Sequence, residues 1–181
     1  MAIPVEVGDK RFPVGGVTTV VTDGFVRPAD TTQYTAADVV SNSAVALATR
    51  MLRFKDCARF DGGTGIIYSA LLLDSIDAAT NPNFDLVLFT TDKITLSADN
   101  AVSTVADDEI KYIVGAIQFD GTTAANISTP GGNLVVKAVG LGQAFKCDDN
   151  SRDLYGLVLD RGAYTPSSSE RFDFKLSILQ D

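Results

Sequence analysis

The residues of this chain best suited to chemistry are clustered carboxylates. Asp107, Asp108 and Glu109 are consecutive, and Asp99 and Asp120 lie nearby in the sequence. Two carboxylates in one cleft are sufficient for glycoside hydrolysis. Three consecutive acids also match the first turn of a helix, where they offset the helix dipole and cap free N–H groups. Because a helix start accounts for the cluster, and Trp for stacking on sugar rings is absent, we expect no glycosidase.

A second acidic stretch, CDDNSRD at 147–153, could ligate a hard cation. Its candidate ligands are Asp148, Asp149, Asn150 and Asp153. Their spacing differs from that of an EF-hand loop, in which oxygen ligands recur at alternate positions and end in a bidentate Glu. A polar turn explains the same residues, so we expect no metal site here.

Histidine is absent from the chain, and this excludes most nucleophilic and metal chemistry. Ser-His-Asp and Cys-His pairs cannot form, nor can imidazole metal sites such as those of cupins. Cys57 and Cys147 are too few for a zinc site and are expected to be small buried hydrophobes. The glycine-rich DGGTG at 61–65 indicates a turn rather than a phosphate cradle. We therefore predict a protein that is not an enzyme and uses no cofactor.

The formal charge of −8 is concentrated in one part of the chain. Residues 74–120 contain nine acids and two lysines, whereas residues 1–60 are nearly neutral. A nucleic-acid partner is not expected, because phosphate binding needs a basic surface. The chain shows no charged-then-apolar leader and no apolar run of about 18 residues, so we expect synthesis in the cytoplasm and no membrane partner.

Alternating apolar and polar residues predict an all-β protein. In RFDFKLSIL (171–179), Phe and aliphatic residues occupy one face and polar residues most of the other, the period of a strand. Similar segments occur at 16–26, 44–54, 65–74, 84–92, 111–119, 133–145 and 154–160. Because turn signals separate these short segments, we predict a single antiparallel sandwich or barrel domain over residues 16–181.

Two stretches depart from this alternation. Residues 97–111 lack it, and their acids predict a short helix or two turns, a helical insertion near 98–110. Residues 1–15 contain Pro4 and Pro13, which remove backbone donors and exclude a central strand. We therefore predict an extended N-terminal arm at 1–15, docked on its own subunit or on a neighbour.

The segment VRPADTTQYTAADVVSNS at 26–43 offers shape rather than chemistry, and its pattern resembles that of a known family. The pieces of the pattern are Arg27-Pro28-Ala29-Asp30-Thr31-Thr32, Tyr34-Thr35, Asp38-Val39-Val40, Ala58-Arg59-Phe60, Gly62-Gly63, Ile66-Ile67-Tyr68, Leu86-Val87-Leu88-Phe89 and the acidic stretch Asp99–Glu109. In this order, over residues 26–120, the chain resembles the capsid cement, or decoration, proteins of tailed-bacteriophage heads.

The resemblance implies a jelly-roll sandwich that assembles as a homotrimer. It also implies a place on the outer capsid surface of the virion, with the major capsid protein as partner and no active-site residues. From the residues alone, segment 26–43 is equally compatible with an ordinary crossover between two sheets. The alternative function is a carbohydrate- or receptor-binding module on a virion surface, for which Tyr34, Tyr164 and Phe145 are the loop aromatics available to stack on a sugar.

Partner contacts are predicted in two places. The apolar residues of the arm would be difficult for a lone domain to bury, and a basic group lies in the half of the chain without the acidic surplus, where it can meet an acidic surface. The predicted contact residues of the arm are Ile3, Val5, Val7, Arg11 and Phe12, and those of the basic group are Arg50, Arg53, Lys55 and Arg59. The alternative is an arm packed on its own subunit and solvated arginines.

Overall fold

The regular structure of the described part is almost entirely β-strand, joined by loops and short 3-10 turns. The computed structural model describes residues 16–76, 81–126 and 134–181, together with the pairing of β1 (Glu6–Val7) and β2 (Lys10–Arg11). The other strands are β3 (Val17–Val26), β4 (Leu52–Phe54), β5 (Thr64–Asp74), β6 (Phe84–Phe89), β7 (Ile113–Phe119), β8 (Ala125–Asn126), β9 (Leu134–Lys146), β10 (Leu154–Asp160) and β11 (Arg171–Gln180). Among the described residues the only helical elements are 3-10 turns at Ala46–Ala48, Ile110–Tyr112 and Gly121–Thr123. The predicted all-β class is confirmed.

Strands β3 to β11 form two antiparallel sheets with jelly-roll connectivity. One sheet has the order β4-β10-β6-β7, and the other has the order β3-β11-β5-β9-β8. Apart from the short β8, the strands pair first with last (β3 with β11), then β4 with β10, β5 with β9 and β6 with β7. A long hairpin rolled onto itself gives this nested order, which defines a jelly roll. The predicted antiparallel jelly-roll-like sandwich is therefore confirmed.

The core lies between the two sheets and follows from the alternation in the sequence. In β11, Phe172, Phe174, Leu176 and Ile178 are all fully buried. Phe172 packs edge-on against Phe84 of the facing sheet, with ring centroids 5.1 Å apart. Burying a side chain of this size contributes about 1.5–3 kcal/mol, so a run of four in one strand anchors the whole sheet.

The strand predicted over 44–54 is shorter than expected. Only Leu52–Phe54 is a strand, and Ala46–Ala48 forms a 3-10 turn. Polar side chains before the turn hold the loop: the amide of Asn42 accepts the N–H of Arg50 at 2.9 Å and donates to the carbonyl of Ala48 at 3.2 Å. These local side-chain bonds compete with a sheet ladder for the backbone groups, and the alternation alone did not reveal them.

The helical insertion predicted near 98–110 is a series of turns, ending in the 3-10 turn Ile110–Tyr112. Backbone groups that an α-helix would need bond elsewhere. The N–H of Asn100 donates to the carbonyl of Val39, and the N–H of Val39 donates to the carbonyl of Ala101, both at 2.9 Å. The helix prediction is wrong, and the stated alternative of two turns describes the segment better. Backbone pairing with Val39, distant in the sequence, overrides the local preference of the acids.

The predicted arm at 1–15 lies outside the described residues, apart from β1 and β2. These two strands pair with each other as a separate two-stranded sheet, Glu6 opposite Arg11 and Val7 opposite Lys10. In the part of the chain that is described, no helix has the length and apolar character needed to cross a bilayer.

Candidate interaction surface and buried polar network

Two of the carboxylates first considered for catalysis, Glu109 and Asp120, act as caps of turns. Glu109 accepts the N–H groups of Ala106 and Thr95, both at 2.8 Å. Asp120 accepts the N–H of Thr122 at 2.9 Å. The hydrogen bond from Ala106 lowers the pKa of Glu109, and those from Thr122 lower the pKa of Asp120. A general acid needs a raised pKa, so these groups are suited to capping rather than proton transfer.

The CDDNSRD stretch does not gather its oxygens around one point. Asp148 accepts the N–H of Asn150 at 3.1 Å, Asp149 pairs with Lys146 at 2.8 Å, and Asp153 pairs with Arg53 at 2.7 Å. Each carboxylate thus has its own partner in a different direction. Over the described ranges, no three acidic, Cys or His side chains are grouped so that they could hold a metal ion.

Both cysteines are buried free thiols, in agreement with the sequence interpretation. Burial raises the pKa of Cys57 well above its ordinary value and raises that of Cys147 to about 11. The thiolate is the reactive form, so neither side chain is an activated nucleophile at neutral pH.

Two polar residues of segment 26–43 meet a distant carboxylate in the interior of the protein. Arg27 and Tyr34 are buried, and so is Asp99, which is distant in sequence. The guanidinium of Arg27 donates to the Asp99 carboxylate at 2.9 Å and, through Nε, to the Tyr34 hydroxyl. The Tyr34 hydroxyl donates in turn to the other oxygen of Asp99 at 2.7 Å. We call these three residues the buried triad.

Electrostatics explain how the members of the buried triad satisfy one another's hydrogen bonds. Burial, together with the negative charge of Asp99, raises the pKa of Tyr34 far above its usual value, so the phenol stays protonated and donates. Asp99 also accepts the N–H of Ser41 at 2.7 Å. Burial raises the pKa of Asp99 despite these donors, because the loss of water outweighs them. Buried charges need such partners, and here segment 26–43 supplies most of them.

The aromatic residues considered for sugar stacking are buried. Tyr34 and Tyr164 are stacked on each other, with ring centroids 6.3 Å apart, and the Tyr164 hydroxyl donates to Glu170 at 2.7 Å. Phe145 is also buried. None of the three is available to a sugar ring at the surface, which removes the feature that favoured a carbohydrate-binding module.

Three members of the predicted basic group share one surface groove. Arg50, Arg53 and Lys55 line it opposite β3, whereas Arg59 is exposed outside it. Arg50 pairs with Asp23 at 2.9 Å, and Arg53 pairs with Asp153. Lys55 has no ion pair with any described residue. The basic group is thus partly neutralised within its own subunit, and the members without an ion pair to a described residue are Lys55 in the groove and Arg59 outside it.

Asp23 ties the two sheets together at the top of this groove. Its carboxylate accepts the backbone N–H of Arg53 at 2.7 Å in addition to the ion pair with Arg50. Burial alone would raise the pKa of Asp23, but the hydrogen bonds from Arg50, Arg53 and Gly24 outweigh it and lower the pKa. The carboxylate therefore joins the edge strand β3 to β4.

Of the arm residues predicted to contact a partner, Ile3, Val5 and Phe12 lie outside the described residues. Val7 and Arg11 are described only as members of β1 and β2. The structure therefore places the basic group relative to the fold, and the contribution of the arm to a contact stays a prediction.

The sequence interpretation missed apolar residues on the outer face of the five-stranded sheet. Ile66 on β5 and Leu179 on β11 are cross-strand partners, 41% and 40% exposed. Val20 on β3, the other neighbour of β11, is 59% exposed. Leu47, on the loop before β4, is completely exposed. A signal existed in β5, where the run GIIYSALLLD is apolar on both faces, a pattern typical of a strand covered on both sides.

The comparisons with known proteins give only distant likenesses. The sequence matches no protein-family profile and no curated protein. Among solved structures, a chain of the Ralstonia phage GP4 capsid is similar, with a TM-score of 0.42 and 12% identity, over 97% of this chain and 90% of that chain. A chain of the cyanophage Pam1 capsid gives a TM-score of 0.35 and 11% identity, over 98% and 94%.

A third solved structure comes from a different class of protein. The Clostridium thermocellum xylanase 10B, in its CBM22-1 and GH10 modules with xylohexaose, gives a TM-score of 0.31 and 10% identity, over 90% of this chain and 26% of that chain. Since all three TM-scores are below 0.5, none of these likenesses establishes a shared fold or function.

Proposed function

We propose that this chain is a non-enzymatic structural protein of a tailed-phage particle. It decorates the outer surface of the capsid, binds the major capsid protein and assembles as a homotrimer in the virion after synthesis in the host cytoplasm. The observation that carries this proposal is the buried triad. The segment that resembles cement proteins directs Arg27 and Tyr34 into the fold, where they bond to Asp99. Such a segment stabilises the fold and presents no reactive group at the surface.

The remaining polar chemistry supports a structural role. Glu109 and Asp120 cap turns and have lowered pKa values, and both thiols are buried with raised pKa values. Catalysis would need a titratable group poised near neutral pH in an open cleft. Glu109, Asp120 and the two thiols do not have that arrangement.

The outer face of the five-stranded sheet supports assembly with other chains. Ile66, Leu179 and Val20 present apolar area where an antiparallel sheet usually carries polar side chains. Grouped apolar residues on a surface are typical of protein contacts. In the proposed homotrimer this face is available to neighbouring copies, and the arm at 1–15 with the basic group is available to the capsid.

The carbohydrate- or receptor-binding alternative has less support. Its three candidate aromatics are buried. Among the described residues, the aromatic that projects from a loop is Phe60, at 60% exposure. A single exposed ring is common on protein surfaces, so it does not favour this function over the structural one.

The proposal is tested by sedimentation of the purified protein with empty heads of its source virus. We expect the protein to pellet with the heads in a saturable amount, and a variant lacking residues 2–14 to stay folded by circular dichroism but to bind more weakly. Solution mass gives the oligomeric state in the same preparation. Failure of the full chain to bind heads would contradict the function, and equal binding by the truncated variant would contradict the contribution of the arm.

A further inference from the structure

The strand β3 is the outermost strand of its sheet. It pairs with β11 without interruption from Val17 to Val26, and no described strand lies on its other side. An exposed edge presents unpaired N–H and C=O groups to any extended chain that approaches it. Which of its backbone groups face outward therefore decides what β3 can bind.

Two hydrogen bonds fix the alternation of β3. Backbone groups in an antiparallel pair face the partner strand and the opposite side in turn. The N–H of Arg27 donates to the carbonyl of Glu170 at 2.8 Å, so the backbone N–H and C=O of Arg27 face β11. The backbone groups of Phe25, two residues earlier, face the same way. The carbonyl of Gly24 instead accepts from the guanidinium of Arg50, on the side away from β11. The even-numbered residues of β3 thus direct their N–H and C=O groups toward the free edge.

One end of this edge is capped and the rest is open. At Gly24, the Asp23 carboxylate accepts the N–H at 2.8 Å and Arg50 donates to the carbonyl. Apart from Val26 beyond this cap, the outward backbone groups without a partner among the described residues belong to Thr18, Val20 and Thr22. These residues span five positions, about 16 Å of strand. The open part reads VTTVVT, which is β-branched and uncharged.

A groove runs beside the open edge and carries a local charge opposite to that of the whole molecule. One wall is β3 from Thr19 to Asp23, and the other is formed by Arg50, Arg53, Lys55 and Asp56. The lining thus holds three cations and two carboxylates, on a chain with a net charge of −8. A strand lying on β3 would pass close to these cations, of which Lys55 has no carboxylate partner among the described residues.

We propose that the edge of β3 from Thr18 to Thr22 accepts an extended strand of another protein, one that carries a carboxylate placed against Lys55. This inference rests on the proposed function, in which the donor of the strand is the major capsid protein. Strand addition provides affinity through main-chain hydrogen bonds, and side chains beside it provide selectivity.

The charges favour a foreign strand over a second copy of this chain. If two β3 edges paired antiparallel across a twofold axis, the same edge and the groove beside it would be brought together from both copies. Lys55 and the arginines of both copies would then approach one another, and two molecules of charge −8 would repel. An acidic segment of a different protein would instead bring a carboxylate, and no second set of cations, to this groove.

Val20 allows a test confined to the edge. Val20→Pro removes a backbone N–H that faces away from β11, so no hydrogen bond to β11 is lost. Proline is tolerated in an edge strand where the N–H faces solvent. The matched control Val20→Thr keeps the N–H and the β-branched shape. In sedimentation titrations with empty heads, we expect Val20→Pro to weaken binding by about tenfold or more and Val20→Thr by less than about threefold. Circular dichroism and thermal unfolding establish that both variants are folded.

Lys55 tests the carboxylate on the donor strand. We expect Lys55→Glu to weaken head binding more than Lys55→Gln, with a difference that shrinks as salt is raised. Hydrogen exchange of the backbone amides of Thr18, Val20 and Thr22 should be fast in the free protein and slow on heads. Exchange that stays fast in the bound state would overturn strand addition.

The outcomes separate this inference from the function on which it rests. If the wild type does not bind heads, the proposed function fails, and the named donor fails with it. If the wild type and Val20→Pro bind heads equally, the function stands and the edge proposal is wrong. If Val20→Pro instead abolishes self-association and leaves head binding intact, the edge pairs with a second copy and the proposal is overturned.

Discussion

Two arginine–aspartate pairs in this protein have the same length and opposite surroundings. Arg27 meets Asp99 at 2.9 Å with side chains 0% and 1% exposed, whereas Arg50 meets Asp23 at 2.9 Å with side chains 47% and 22% exposed. Both pairs join segments far apart in the chain. The difference in exposure determines how much each pair matters, because water competes for the exposed charges and has no access to the buried ones.

The buried pair lies within a closed network, and the exposed pair lies at the rim of an open groove. Removing one partner of a buried pair leaves a charge without water or counter-charge, which is the expensive event. Removing one partner of the exposed pair lets water replace it. Regions that fix the fold and regions that meet other molecules can therefore use the same residue types, and the distance between atoms does not distinguish them.

The largest expected effect comes from breaking the buried pair. Arg27→Met should lower the free energy of unfolding by about 3–5 kcal/mol. The matched change at the exposed pair, Arg50→Met, should lower it by no more than about 1 kcal/mol. Chemical denaturation of both variants measures the difference. Similar losses for the two variants would show that burial does not separate the pairs.

A buried carboxylate without a cation sharpens the comparison. Asp160 is buried, and its Oδ1 atom has no hydrogen-bond partner among the described residues. Burial, with a contribution from the nearby Asp38, raises the pKa of Asp160 from 3.8 to about 6. The folded state thus holds this proton more tightly than the unfolded state, so the associated stability is present below pH 3.8 and is lost as the pH rises through 6.

Asp160→Asn should therefore stabilise the protein at neutral pH, by up to about 3 kcal/mol. It should also remove part of the decline in stability between pH 4 and pH 6, a window set by the ordinary and raised pKa values. Unfolding free energies measured across this pH range decide the matter. A destabilising Asp160→Asn would mean that this carboxylate is needed in its ionised form.

The hydroxyl of Tyr34 tests how closed the buried network is. Tyr34→Phe removes the donor to Asp99 and the acceptor for Arg27, and should lower the free energy of unfolding by about 1–3 kcal/mol. The control Tyr68→Phe changes an exposed tyrosine and should stay within about 0.5 kcal/mol. Combining Tyr34→Phe with Arg27→Met should give less than the sum of the two losses. Strict additivity would contradict a coupled network.

The smallest expected effect is that of salt on the two pairs. Raising the ionic strength should weaken the exposed pair of Arg50 and Asp23 and leave the buried pair nearly unchanged. The coupling energy between Arg50 and Asp23, measured by a double-mutant cycle, should be below about 1 kcal/mol at low salt and smaller at high salt. A coupling that is large and insensitive to salt would place Asp23 among the buried groups.

The sequence by itself determined the fold class and most of the strands. The alternation in 171–179 predicted β11, which runs from Arg171 to Gln180, and the segment 154–160 coincides with β10. This succeeded because a strand places alternate side chains on opposite faces, so its pattern is local and can be read along the chain. The buried free cysteines were predictable for a similar reason.

Only the tertiary structure decided which polar residues meet and where the sheet remains open. Arg27 and Asp99 are 72 residues apart, and nothing in either local pattern names the other. The segment 98–110 does not form the predicted helix, because its backbone pairs with Val39. The free edge of β3 likewise depends on which strand is outermost, and strand order is a property of the whole chain. Periodicity is written locally in a sequence, whereas partners and edges arise when distant segments pack together.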